Sequence, residues 1–174
     1  ALDGPTDYRR EKLDQMPVYL TPLNDGARRQ MDEAWQAATA GHETHAVTLT
    51  VKGRELAVPR ANGTTARFSF DELCARPLGA RDYLAIAARF DTIFVENIPM
   101  LGADRRNEAK RFILLVDTLY DQRVRLVASA EAEPEALYAG KTGTEAFEFA
   151  RAASRLTEMQ SREWLHASRA ASAR

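Results

Sequence analysis

The chain has 174 residues, 45% of them hydrophobic and 28% charged, and a formal net charge of −1. That composition suits one soluble globular domain with enough length to bury a core. A net charge so near zero points to neither nucleic acid nor an anionic membrane as a partner, and no apolar run reaches the roughly 18 to 20 residues of a membrane-spanning helix. The lone cysteine, Cys74, rules out an intrachain disulfide and fits a reducing, cytoplasmic setting.

The first fifteen residues are polar, without the apolar centre of a signal peptide. A short extended piece, Val18 to Leu20, precedes Pro22. Asn24 or Asp25 can cap a helix in which Ala27, Met31, Ala34, Trp35 and Ala38 recur at helical spacing, and Gly41 ends it. The period then changes to two. Val47, Leu49 and Val51 alternate, as do Leu56 and Val58, and Lys52-Gly53-Arg54 reads as the turn of a β-hairpin. "ARFSFDELC" predicts a third strand over 67–70, running into a helical turn capped by Ser69 or Asp71. A helix is expected from Ala80 to Arg89, with Tyr83, Leu84, Ala87 and Ala88 on one side, followed by a buried strand at 92–95.

"FILLVD" (112–117) has the look of an apolar strand ending in a Mg²⁺-binding Asp. Periodicity decides otherwise: Ala109, Phe112, Ile113, Val116, Leu119 and Tyr120 share one helical face over more than three turns. The strand "VRLVASA" follows, so 92–95 and 124–128 should form a parallel pair with a right-handed crossover. The last helix or helices span "TEAFEFARAASRLTEMQSREWL", with Phe147, Ala150, Leu156 and Met159 as the apolar side. Residues 1–166 read as a single domain and 167–174, small and basic, as a disordered tail. The predicted architecture is α/β: a mixed sheet with the antiparallel hairpin and the parallel βαβ pair, helices packed on it, and a C-terminal helix.

Four motifs carry candidate chemistry. Gly140-Lys141-Thr142 matches the end of a P-loop, whose glycines let successive N–H groups turn onto phosphate. The first glycine of that motif falls at Glu135, and the preceding acidic stretch with Pro134 is no buried strand, so a Gly-rich turn is expected instead. His42 and His45 in "HETH" sit one residue closer than the i, i+4 spacing that two helical imidazoles need to share a metal. Cys74 reads as a packed thiol, and no Gly-x-Ser-x-Gly nucleophile elbow exists. Arg151 and Arg155 fall one turn apart on one face of the last helix. Two guanidiniums so placed require an acidic neighbour, for which Glu148 and Glu158 are the candidates, or an anion such as a nucleotide phosphate or a partner carboxylate.

"DYR" near the start, "VYLTPL", "FSFDELCARPLGARDYLAIAARFDTIFVENIPML", "RNEAKRFILLVDTLYDQRVRLVASA" and "SRLTEMQSREWL" occur in that order. Together they resemble the C-terminal half of ZapE-type cell-division ATPases, an AAA+ family with mitochondrial relatives, over about residues 7–165. The resemblance implies a Walker A, a Walker B and a first sensor upstream of the "DYR" segment, none of which this sequence contains. The expectation is therefore a chain that begins just after the catalytic core, packs on that core, and is inactive alone. In the parent, ATP and Mg²⁺ would be the cofactors, an oligomer is expected, and no nucleic acid is implied. By analogy with AAA+ lids, Arg155 in "SRLTEMQS", with Arg151 next, is the nucleotide-reaching arginine. The alternative is a module that binds a division protein or client, using apolar patches at Trp164, Tyr138 and the 47–58 hairpin. An independent small-molecule enzyme has no acid/base or metal constellation to support it.

Overall fold

Asn24 has an extended backbone, and its side-chain carbonyl accepts the Ala27 amide at 2.8 Å. That satisfies an otherwise orphan donor and starts helix α1 (Asp25–Thr39). The chain leaves α1 through Ala40 and Gly41, both at positive φ. The computed structural model describes residues 16–139 and 143–172, so Gly140-Lys141-Thr142 and the N-terminal "DYR" lie outside the described residues.

Six strands form one mixed sheet. They are β1 (Tyr19–Leu20), β2 (His45–Val51), β3 (Arg54–Asn62), β4 (Thr65–Ser69), β5 (Thr92–Ile98) and β6 (Arg125–Ala130), in the order β1-β6-β5-β4-β3-β2. β2 and β3 are the expected hairpin. Lys52 and Gly53 have φ of 51° and 77°, the pair of positive angles that a two-residue turn needs to match strand twist. β3 runs further than its alternation shows and turns back through Gly63 into antiparallel β4. β4, β5, β6 and β1 are mutually parallel. Five strands were expected. The sixth is β1, the short piece before Pro22, whose Tyr19 and Leu20 align with Ala128 and Ser129.

The third strand stops at Ser69, and Phe70 already belongs to α2 (Phe70–Cys74). A capping box decides the boundary: Ser69 Oγ accepts the Glu72 amide and Glu72 accepts the Ser69 amide. Next come α3 (Ala80–Arg89) and α4 (Arg106–Asp121). "FILLVD" therefore lies within a helix, and Asp117 is not at a strand end.

β5 is buried on both faces, as a central parallel strand covered by helices should be. On one face Phe94 meets Trp35 of α1 edge-on at 5.2 Å. Beyond the sheet, Phe112 of α4 joins Phe70 of α2 and Phe149 of α5 (Thr144–Glu158), with ring centroids 5.9 and 6.2 Å apart. The buried side of α5 is Phe149, Ala152, Ala153 and Leu156, while Phe147 is 83% exposed and Ala150 is exposed. This corrects the expected apolar side, on which Phe147 and Ala150 were placed. Helical spacing allows either aromatic to face inward, and packing against Phe112 selects Phe149.

The tail also differs from expectation. α6 (Arg162–Ala167) and α7 (Arg169–Ser172) continue the chain, and Arg169 donates to the carbonyls of Phe90, Gln122 and Arg123. Arg125, buried on β6, donates to the Leu165 carbonyl at 3.0 Å. Small basic residues order here because carbonyls at the ends of α3, α4 and α6 accept from these guanidiniums.

Candidate functional site

α5 packs along α4, and the two helices bring Arg151, Arg155 and Asp117 together. Arg155 Nη1 donates to Asp117 Oδ1 at 2.5 Å, and Arg151 Nη2 donates to Asp117 Oδ2 at 3.2 Å. One carboxylate thus satisfies both guanidiniums, with one arginine on each oxygen. The expected partners, Glu148 and Glu158, do not fill this role. Glu158 is engaged elsewhere, accepting the Tyr120 hydroxyl at 2.9 and 3.0 Å.

Tyr120 lies one turn beyond Asp117 on α4 and forms the floor of the site. The Arg155 guanidinium sits 4.8 Å above its ring centroid, and Trp164 stacks near it at 6.2 Å. The hydrogen bond to Glu158, the largest cause, pushes the Tyr120 phenol above its ordinary range. Arg155 spends one donor on Asp117; its Nε and Nη2 make no hydrogen bond among the described residues. Its side chain is 26% exposed, so these donors are held in a fixed direction near the surface. Arg151, at 54%, is held more loosely. Such a rigid, partly used guanidinium can take up a phosphate or carboxylate oxygen.

The other flank of α5 bounds a groove of about 370 Å³, lined by Tyr138, Phe149, Ala150, Ala153, Ser154 and Thr157. A second crevice, of about 350 Å³, opens at the carboxyl ends of β5 and β6 beside the start of α1. Open α/β sheets commonly bind ligands in that position. Here Arg67 is held between Asp32 and Glu96, each at 2.7 Å, and the Asn97 amide donates to Ser129 Oγ. No sequence motif marks this crevice, because its residues come from four separate elements.

Of the remaining candidates, Trp164 is buried and Tyr138 half-buried, so neither is the exposed patch expected of it. His42 and His45 are exposed at the entry to β2. Cys74 is buried, and burial pushes its thiol up to about 12, out of reach of nucleophilic chemistry at neutral pH. Among the described residues no cluster of three or more His, Cys, Asp or Glu could hold a metal ion, and no helix is long and apolar enough to cross a membrane.

The model of the AFG1-like ATPase family matches residues 1–168. The chain belongs to the AFG1-like ATPase family. Among curated relatives, the cell division protein ZapE of Escherichia coli K12 is 38% identical over 94% of this chain and 43% of its own length. Lactation elevated protein 1 homolog B of Danio rerio is 38% identical over 99% of the chain and 41% of its own length. An uncharacterized protein of Schizosaccharomyces pombe is 34% identical over 95% and 43%. The chain therefore spans less than half the length of the curated relatives it matches. No solved structure matches it. In this AFG1-like chain the Asp117–Arg151–Arg155 arrangement lies within the stretch that the family model covers.

Proposed function

We propose that this chain serves an AAA+ ATPase as a domain that packs on a P-loop core and couples ATP binding and hydrolysis to conformational work. The setting is the cytoplasm, the work is cell division or protein quality control, and the assembly is oligomeric. ATP and Mg²⁺ are bound by the core. Alone, the chain hydrolyses no ATP, since its sequence contains no Gly, four residues, Gly-Lys-Ser/Thr run.

The observation that carries this reading is Arg155. It is fixed by Asp117 and by the Tyr120 face, and two of its donors remain uncommitted at the surface. A guanidinium held in that way is suited to charge developing on a transferring phosphoryl group, with Arg151 as its loosely held neighbour. The test is ATP turnover by a polypeptide that joins this chain to a Walker A core. Arg155→Ala should lower turnover by about tenfold or more with the fold intact. Unchanged turnover removes the assignment. Calorimetry of the chain alone with ATP and Mg²⁺ should show no binding.

A second reading is a protein-binding module without nucleotide contact. It is favoured by Phe147, 83% exposed on the helix that bounds the α5 groove. Phe147→Ala, which leaves the Arg155 contacts alone, separates the two: it would abolish client binding while sparing basal turnover.

A further inference from the structure

β2 ends the sheet, and among the described residues no strand pairs with its outer edge. Natural edges are usually blunted by charge, proline or a bulge, because a row of open N–H and C=O groups invites pairing. This edge is poorly blunted. His45–Val51 contains no Pro, Gly, Lys, Arg, Asp or Glu, and its bulge against β3 lies at the His45 end, leaving 47–51 regular. Val47 and Leu49 are half-buried, and Leu84, 47% exposed, lies on α3, the helix packed against this strand.

The charges beside β2 indicate what covers it. Glu43 is exposed before the strand, and its carboxylate has no ion pair among the described residues; its carbonyl accepts Asn62 Nδ2 at 2.9 Å, which holds that end in place. Lys52 is exposed just after the strand and is equally unpaired, while neighbouring Arg54 is committed to Asp82 at 2.6 Å. An uncharged strand with a free carboxylate at one end and a free ammonium at the other is complementary to itself reversed.

We propose that β2 pairs antiparallel with β2 of a second copy of this chain, about a two-fold axis at Thr48, joining two six-stranded sheets into one. The midpoint of His45–Val51 is Thr48. Centring the axis there puts Val47 opposite Leu49 of the other copy, apolar against apolar on one face. It sets Glu43 opposite Gly53 and Lys52 opposite Thr44 of the other copy, so each Glu43 lies one position from the other strand's Lys52, twice over. Parallel pairing would set Glu43 against Glu43 and Lys52 against Lys52, and is rejected by charge. The pairing is independent of any role of Arg155.

Sedimentation equilibrium of the chain tests it. The unaltered chain should be a dimer. Thr48→Lys, an exposed position facing its own copy across the axis, should leave monomer with unchanged circular dichroism and melting. Glu43→Lys and Lys52→Glu should each weaken the dimer by about tenfold, since each turns two attractions into repulsions. The Glu43→Lys/Lys52→Glu double variant should recover the original dissociation constant. A monomer at every concentration up to the solubility limit overturns the proposal, and marks the edge as one for an unrelated strand. A dimer indifferent to Thr48→Lys, or a double variant no tighter than the singles, overturns it as well.

Discussion

Asp117 of α4 and Arg155 of α5 meet at 2.5 Å where the two helices pack, and the same carboxylate holds Arg151 through its second oxygen. Removing the charge leaves two guanidiniums one turn apart with no counter-ion. The Asp117 and Arg155 side chains are 21% and 26% exposed, so water screens the pair only in part. Asp117→Asn should destabilise the fold by about 1 kcal/mol in urea unfolding. Arg151→Ala, on the more exposed partner, should cost less than about 0.5 kcal/mol. A double-mutant cycle between Asp117 and Arg155 should show coupling that salt weakens.

Phe112 links α4 to α2 and α5 through Phe70 and Phe149 and is 1% exposed. Phe112→Ala should cost about 3 to 5 kcal/mol, the range for an aromatic cavity in a core. Phe147→Ala, two residues before Phe149 but solvent-exposed, should cost almost nothing. Equal costs for the two would contradict the orientation of α5.

Ser69 separates β4 from α2 by its capping box. Ser69→Ala should cost about 1 kcal/mol, and Ser69→Asp, which can accept the same amide, should recover most of it. Thermal denaturation of the three proteins reads this directly.

Alkaline pH should destabilise the protein partly through Cys74. Burial, the largest cause, raises its thiol from 9.0 to about 12 in the folded state. The unfolded thiol ionises near its ordinary value and the folded one does not. Stability is therefore complete below about pH 9 and is lost as pH rises toward 12. Burial also raises the phenols of Tyr19 and Tyr83, which extends the loss. Unfolding measured at about pH 8 and about pH 10.5 should show the drop, and Cys74→Ala should make it shallower without abolishing it. Iodoacetamide should label Cys74 rapidly only in denaturant.

Local pattern alone determined the hairpin and the long helices. Alternation in 47–51 and 56–58 around Lys52-Gly53 specified a hairpin, since the pleat has a period of two and the turn needs positive φ. Helical spacing from Ala109 to Tyr120 separated α4 from a metal-binding strand, and the order of family stretches specified an ATPase relative. Tertiary structure alone decided the rest. The pairing of β1 with β6, the burial of Phe149 instead of Phe147, the docking of Arg169 and the choice of Asp117 over Glu148 and Glu158 join residues far apart in the chain. Arg151 and Arg155 lie 34 and 38 positions from the carboxylate that holds them. Periodicity shows which residues share a face of one helix. Which face is buried, and which acid lies opposite an arginine, depends on the shape of the neighbouring element, and no local spacing encodes it.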